Sequence, residues 1–191
     1  LTPCAFSGVT GLRPTYGLVS RRGAMALSWT LDKLGPMGRT ADDCGLVLQA
    51  IAGPDPKDPT TDGRFTWTRP AGTRPLRIGV LENATARAQP EVRENFEKSL
   101  AVLRGFATLE TDVPFPDLPW GPAVSLIVDA EGAAAFREFI ESGGTRQLRA
   151  QSDRYGGYVS MMTLAVDYLE AMRARVSMRA ALDGLLAKYD A

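Results

Sequence analysis

Apolar residues recur with helical spacing after Thr40 and predict the first clear regular element of the chain. Four of them share the spacing i, i+3, i+4 and i+7 of one helix face: Cys44, Val47, Leu48 and Ile51. The Thr40 hydroxyl can cap this helix, and Asp43, three residues later, gives a capping box with aspartate in the usual place of glutamate. Gly53 and Pro54 predict its end.

A strand, a helix and a second strand are predicted between residues 76 and 113. Residues Leu76 to Leu81 are mostly apolar and indicate a strand that is buried on both faces. The next helix opens at Pro90 and ends at Gly105. Its apolar stripe contains Val92, Phe96, Leu100 and Leu103. Residues 107–113 predict the second strand, and this order of elements is typical of an α/β protein.

The rest of the chain predicts loops and two further helices. Residues 1–39 are rich in Gly and Pro and indicate loops and short strands. A helix is predicted over 122–142, a polar loop over 146–157, and a long helix over 160–188. The predicted buried side of the long helix contains Leu164, Tyr168, Leu169, Met172 and Val176.

Composition narrows the function classes. The 191 residues are 45% hydrophobic and carry 22 basic and 22 acidic side chains, so no basic surface indicates nucleic acid or a membrane. Histidine is absent, which excludes Ser-His-Asp and Cys-His catalysis and His-ligated zinc within this sequence. Two cysteines give no disulfide framework, and with no visible leader a cytoplasmic location is expected.

No complete active site is visible in the sequence. No serine lies in a nucleophile elbow or a Ser-x-x-Lys motif, and no glycine-rich phosphate loop is present. The acid pair Asp42-Asp43 opens a helix, where it compensates the helix dipole. From its residues alone the chain is interpreted as an α/β protein that contains no complete active site.

Five successive segments carry a family resemblance. They are Pro3 to Gly8, Gly11 to Gly17, Thr30 to Met37, Thr40 to Gly53 and Asp55 to Asp58. This succession resembles the amidase signature family, in which a Pro-Ala-Ala-Phe-Cys-Gly-like segment leads to Gly-Leu-(Lys/Arg)-Pro-Thr-Tyr-Gly and then to Ser-Leu-Asp-x-x-Gly-Pro-Met. Ala130-Glu131 falls where the family often has Ala-Glu in a helix.

The resemblance implies part of a single mixed β-sheet covered by helices on both sides. It implies that residues 1–191 belong to one domain, truncated at both ends and without an internal boundary. The family hydrolyses amides with a Lys-Ser-Ser triad that forms a serine acyl-enzyme, and all three groups would precede Leu1. The 191 residues alone are therefore expected to be inactive. The implied partner is a small-molecule amide, with no metal, cofactor, membrane or direct nucleic-acid contact, and homo-oligomerisation is left open.

The stretch Gly11 to Gly17 is interpreted as support around a site rather than the site itself. The candidates for substrate contact or support are Arg13, Tyr16, Trp29 and Asp32. Arg13 is a candidate partner for Asp32, and Asp32 is a candidate for holding a loop through backbone N–H groups. Trp29 either lines an acyl or aryl pocket or packs in the core.

The type of amidase stays open between several alternatives. In one branch of the family, the tRNA-dependent amidotransferases, the amidase component commonly has a Tyr-Tyr pair where this chain has Val124-Ser125. Its Asn-Leu-(Ala/Ser)-Arg run also has no counterpart in Gly132 to Phe136. A general amidase is therefore favoured. Hydrolysis of carbamates or urea derivatives is an alternative, as is a catalytically inactive scaffold.

Overall fold

The structure is a computed structural model that describes residues 2–68, 72 and 74–191. Its helices are α1 (Thr2–Ser7), α2 (Ala41–Ile51), α3 (Pro90–Leu103), α4 (Trp120–Ala135), α5 (Arg137–Glu141), α6 (Gln151–Ser160) and α7 (Ala165–Leu186). Its strands are β1 (Thr10–Gly11), β2 (Met37–Gly38), β3 (Leu76–Leu81) and β4 (Ala107–Val113). A short 3-10 helix covers Gly144–Gln147. The predicted α/β class is confirmed.

The chain divides into two compact units. One comprises Leu1–Pro70 and Ser125–Tyr168, and the other Ala71–Val124 and Leu169–Ala191. The core of the first unit is formed by Cys4, Val19, Cys44, Leu48, Ile127, Ala133 and Ile140. The core of the second is formed by Leu100, Val113, Ala123, Ala171 and Met178.

Helix α2 starts with the capping box that its sequence predicts. The Asp43 N–H donates to Thr40 Oγ1 at 3.1 Å, and the Thr40 N–H donates to Asp43 Oδ2 at 2.9 Å. Cys44 and Leu48 bury the predicted face, whereas Val47 and Ile51 stay partly exposed. Gly45 allows the indole of Trp67 to lie directly on the helix backbone, since any Cβ there would overlap the ring.

The strand–helix–strand prediction is confirmed in the second unit. Strands β3 and β4 pair in parallel, from Leu76 opposite Ala107 to Leu81 opposite Val113, with α3 as the connection. The prediction that β3 is buried on both faces is wrong, because Leu76 and Leu81 are 43% and 39% exposed. Its apolar composition fits a strand with both faces covered, but this two-stranded sheet does not cover the ends of β3.

The last residues of the chain lie beside β3. The Asp190 N–H donates to the Arg77 carbonyl at 2.7 Å, and the Gly79 N–H donates to the Ala191 carbonyl at 2.9 Å. The Asp190 carboxylate also accepts two hydrogen bonds from the Arg74 guanidinium, at 2.6 and 2.7 Å. The end of α7 is thereby joined to the sheet of the second unit.

The predicted helix over 122–142 is two helices in the structure. Helix α4 ends at Ala135 and α5 begins at Arg137. Phe136 between them has φ −108° and ψ 18°, outside helical values, which interrupts the helix. Near the start of the chain, where loops and short strands are predicted, β1 and β2 form a short antiparallel pair, but α1 was not predicted.

The predicted loop over 146–157 is wrong. The 3-10 helix and α6 occupy most of it, because Gly157 allows α6 to approach Ile140 closely: a Cβ there would lie 3.0 Å from that side chain. The long final helix begins at Ala165 rather than 160. Its buried residues are Ala171 and Met178, whereas Leu164, Leu169 and Val176, predicted to be buried, are exposed.

Candidate functional site

Arg21 joins two of the candidate residues, Tyr16 and Trp29. Its guanidinium carbon lies 4.7 Å from the centre of the Tyr16 ring and 5.4 Å from that of Trp29, within cation–π range. Nη1 donates to the Trp29 carbonyl at 2.7 Å, and Nη2 donates to the Tyr16 hydroxyl at 3.0 Å. The Tyr16 hydroxyl in turn donates to the same Trp29 carbonyl at 3.1 Å. One largely buried cation therefore fixes both aromatic residues.

Asp58 and Thr60 hold Arg21 from the opposite side. Thr60 Oγ1 accepts from Arg21 Nη2 at 3.1 Å and donates to Asp58 Oδ1 at 2.6 Å. The backbone N–H of Arg21 donates to Asp58 Oδ2 at 2.8 Å, and Arg21 Nε lies 3.9 Å from the same oxygen. The segment Asp55 to Thr61 thus holds Arg21 in place, and Arg21 in turn contacts the rings of Tyr16 and Trp29.

Asp55 closes a turn in this segment. Its carboxylate accepts from Ser20 Oγ at 2.7 Å and from the Lys57 N–H at 2.8 Å. Thr61 Oγ1 accepts from the Asp55 N–H at 2.7 Å and donates to the Asp58 carbonyl at 2.8 Å. Aspartates and threonines at such positions give turn geometry, so the Asp-Pro-Lys-Asp-Pro-Thr-Thr run is a structural turn.

Asp32 holds a loop, as its sequence context predicts. Asp32 Oδ2 accepts from the backbone N–H groups of Leu27 and Ser28 at 2.8 and 2.9 Å. The proposed pairing of Asp32 with Arg13 is not formed within the described ranges: Arg13 is exposed, and Asp32 already has two donors. Arg13 lies beside Asp32 in a separate shallow cavity of about 300 Å³.

A second buried carboxylate, Glu131, fixes the loop on either side of Trp29. Its Oε2 accepts from Ser28 Oγ at 2.6 Å and from the Thr30 N–H at 2.9 Å. Its Oε1 accepts from Thr30 Oγ1 at 2.9 Å and from the Tyr168 hydroxyl at 2.8 Å. Glu131 is only 9% exposed, so α4 carries a buried charge with four hydrogen-bond donors around it.

These contacts lower the pKa of three carboxyls. Burial alone would raise the pKa of Glu131, but its four hydrogen bonds outweigh burial and lower it below 4.5. The Lys57 N–H and then Ser20 lower the pKa of Asp55, and the Arg21 N–H and then Thr60 lower that of Asp58. All three groups are therefore stabilised in the ionised form.

Two of the candidate residues, Trp29 and Asp32, line a cleft of about 400 Å³. Its lining includes Arg21, Trp29, Asp32 and Asp58, and Tyr16 supports it from behind through Arg21. Both carboxylates of the cleft already accept backbone N–H groups. The structure therefore brings Tyr16, Trp29 and Asp32 to one place and leaves Arg13 outside it.

Sequence reasoning missed Arg21 and the role of Glu131. A glutamate directly before the small apolar run Gly132 to Ala135 was the available signal, because a carboxylate on a buried helix face needs buried donors. In the part of the chain that the structure describes, no three metal-ligating side chains cluster, and no helix is both long and apolar enough to span a bilayer.

The fold has close counterparts among solved structures. One described as a vestigial protein complex that reveals the evolutionary origins of an s-triazine catabolic enzyme matches 98% of this chain and 41% of its own, with a TM-score of 0.83 and 27% identity. Native peptide amidase from Stenotrophomonas maltophilia matches 89% of this chain and 40% of its own, with a TM-score of 0.65 and 26% identity. The chain thus has the α/β fold of amidase-type enzymes.

Family membership follows from the sequence comparison. The family model described as Amidase matches residues 1–191, and the chain belongs to this family. One relative, a glutamyl-tRNA(Gln) amidotransferase component from Thermus thermophilus, is 36% identical over 175 residues. That match covers 90% of this chain and 36% of the relative, so the chain spans about a third of the relative's length.

Proposed function

We propose that this chain is part of a general amidase, a hydrolase that cleaves a small-molecule amide through a serine acyl-enzyme. The observation that carries the proposal is the Amidase match over the whole of residues 1–191. In the resembled family, the lysine, the bridging serine and the nucleophilic serine all precede the segment that corresponds to Pro3 to Gly8. The proposal therefore assigns catalysis to residues before Leu1, within one amidase domain of which residues 1–191 are a part.

The described residues have a supporting role in this proposal. Arg21 fixes Tyr16 and Trp29, and Glu131 fixes the loop that carries Trp29. Preorganised walls of this kind keep a substrate within the small tolerance that acyl transfer requires. Of the sequence candidates, Tyr16, Trp29 and Asp32 are proposed to support or line the pocket.

The test uses the full-length polypeptide that contains this chain. Ammonia release from simple alkyl and aryl amides is measured, and the protein is treated with a fluorophosphonate that labels activated serines. Amide turnover with a labelled serine N-terminal to Leu1 is the expected result. Absence of both turnover and labelling would sink the proposal and favour a scaffold without catalytic function.

The second candidate is the amidase component of a tRNA-dependent amidotransferase. The observation in its favour is the 36% identity to the Thermus thermophilus amidotransferase component. Against it, Val124-Ser125 replaces the Tyr-Tyr pair common in that branch. Ammonia release from glutamine that exceeds release from alkyl and aryl amides would favour this second candidate, and the reverse order favours the general amidase. Carbamates and urea derivatives are assayed as substrates alongside these amides.

Location and assembly complete the proposal. We propose a cytoplasmic protein with no direct nucleic-acid partner, for which a monomer and a homo-oligomer are both open. Fractionation of the source cells tests the first point, and light scattering of the purified full-length protein tests the second.

A further inference from the structure

A larger cavity lies in the first unit, lined by α4, α5, α6 and the 3-10 helix. Its volume is about 630 Å³, within the range of about 300–1,000 Å³ that is typical of small-molecule sites. Phe136, Phe139 and Ile140 form part of its apolar lining, and Met25 and Leu27 close it from the loop that precedes Ser28. We refer to it as the apolar cavity.

One buried polar atom of the apolar cavity has no partner. Thr145 is 2% exposed, and its Oγ1 makes no hydrogen bond within residues 2–68, 72 and 74–191. An unpaired buried hydroxyl costs free energy, so native proteins rarely keep one without a ligand or a water molecule to satisfy it. Thr145 lines the cavity, where a bound molecule can supply the missing hydrogen bond.

The charged groups of the cavity lining have one sign. Asp129 and Asp153 are the charged residues among the lining side chains that the structure describes, and no arginine or lysine accompanies them there. Ser160 Oγ contacts Asp129 Oδ1 at 3.4 Å but does not neutralise it. Two carboxylates beside an apolar cavity disfavour an anionic ligand.

We propose that the apolar cavity binds the apolar group of a carboxylate-free amide, and that Thr145 Oγ1 hydrogen-bonds a polar substituent where that group carries one. This inference rests on the proposed amidase function and names the substrate class: amides with an aryl or branched alkyl group. Glutamine fits poorly, because both charged groups on its α-carbon would lose hydration against the apolar lining and its side chain would leave the aromatic lining uncovered. The cavity is thus a specificity-determining site.

The test compares three amides on the full-length protein: acetamide, 3-phenylpropionamide and 3-(4-hydroxyphenyl)propionamide. Val128→Phe fills the cavity from α4 and should raise KM for both aryl amides about tenfold, with kcat/KM for acetamide within about twofold of wild type. Val102→Phe makes the same change on the exposed face of α3 and should alter none of these constants.

Thr145→Val tests the hydroxyl separately at nearly constant side-chain shape. It should raise KM for the hydroxyphenyl amide about two- to tenfold and leave KM for the phenyl amide within about twofold, since only the first offers the hydroxyl a partner. A structural role of Thr145 would instead move both substrates together. Thr108→Val, at an exposed position of β4, is the matched control.

The outcomes separate this inference from the proposed function. Hydrolysis of all three amides with equal effects of Val128→Phe on each would overturn the inference and leave the amidase function standing. If no amide is hydrolysed and no serine is labelled, the amidase function fails, and calorimetric binding of 3-phenylpropionamide decides the inference. Binding that Val128→Phe abolishes supports an apolar ligand site, and lack of binding overturns it.

Discussion

Glu131→Gln is the substitution that tests the internal support of the candidate site most directly. The carboxylate accepts four hydrogen bonds, from Ser28 Oγ, the Thr30 N–H, Thr30 Oγ1 and the Tyr168 hydroxyl. Glutamine keeps the shape of the side chain but loses its charge and replaces one acceptor oxygen by an N–H₂ donor. The Thr30 N–H can only donate, so the amide oxygen must face it, and hydroxyl groups must turn to accept from the nitrogen.

The expected loss of stability is about 2 kcal/mol. A hydrogen bond to a charged group contributes about 1.5–3 kcal/mol and a neutral one about 0.5–1.5 kcal/mol, so each of the four bonds weakens by about 1 kcal/mol. Part of that total is recovered, because a neutral amide costs less to bury than a carboxylate.

The loss of folding stability caused by Glu131→Gln should also depend on pH. The pKa of Glu131 is lower in the folded protein than its ordinary value of 4.5. The stability that its ionised form contributes is therefore present above that value and is lost as pH falls through the folded pKa. Glutamine does not titrate, so the difference between wild type and Glu131→Gln should be largest at pH 7 and should narrow in acid.

The assay is urea unfolding of the full-length protein, followed by tryptophan fluorescence at neutral and acidic pH. Glu97→Gln makes the same chemical change at an exposed position of α3 and should change stability by less than about 0.5 kcal/mol. A Glu131→Gln loss as small as that of the control, or one that is equal at both pH values, would refute the buried-carboxylate reasoning.

Three further predictions test other parts of the structure. Thr40→Ala removes the cap of α2 and should cost about 1 kcal/mol in urea unfolding; no loss would mean that Asp43 alone caps the helix. The Arg74 guanidinium lowers the pKa of Asp190. The difference in urea unfolding midpoint between wild type and Asp190→Asn should therefore narrow as pH falls below the ordinary pKa of aspartate, and a constant difference would contradict this. The 191 residues alone should release no ammonia from any amide, and measurable turnover would place a nucleophile within this chain.

Local sequence signals were sufficient for elements that have both a periodic apolar pattern and a residue that marks their end. Helices α2 and α3 and strands β3 and β4 lie where their apolar spacing, caps and glycines predict them. Helix α6 was missed because residues 146–157 are mostly polar and indicate a loop, whereas α6 contacts Ile140 through Gly157, which adds no apolar side chain to the pattern. A glycine selected for close packing and one selected for a turn look alike in the sequence.

The candidate site was only partly predictable for a related reason. Tyr16 and Asp32 were identifiable because they lie in segments that resemble family motifs, and Trp29 directly precedes one of these segments. Their connection through Arg21 and Glu131 depends on contacts across 37 residues from Arg21 to Asp58 and across 103 residues from Ser28 to Glu131. No local pattern encodes such contacts, since they form only where the segment Asp55 to Thr61 and helix α4 pack against the loop.

Two serines of this chain each donate to a carboxylate at the distance expected between a nucleophile and its base. The structure nevertheless argues against catalysis by either serine. Ser20 and Ser28 donate to Asp55 and Glu131 at 2.7 and 2.6 Å. A general base works best with a pKa near the working pH, but both carboxyls have lowered pKa values and hold their protons weakly. Ser28 is also 1% exposed, so a substrate cannot reach it. The same hydrogen bonds that make these carboxylates good structural anchors make them poor bases, which favours a nucleophile outside this chain.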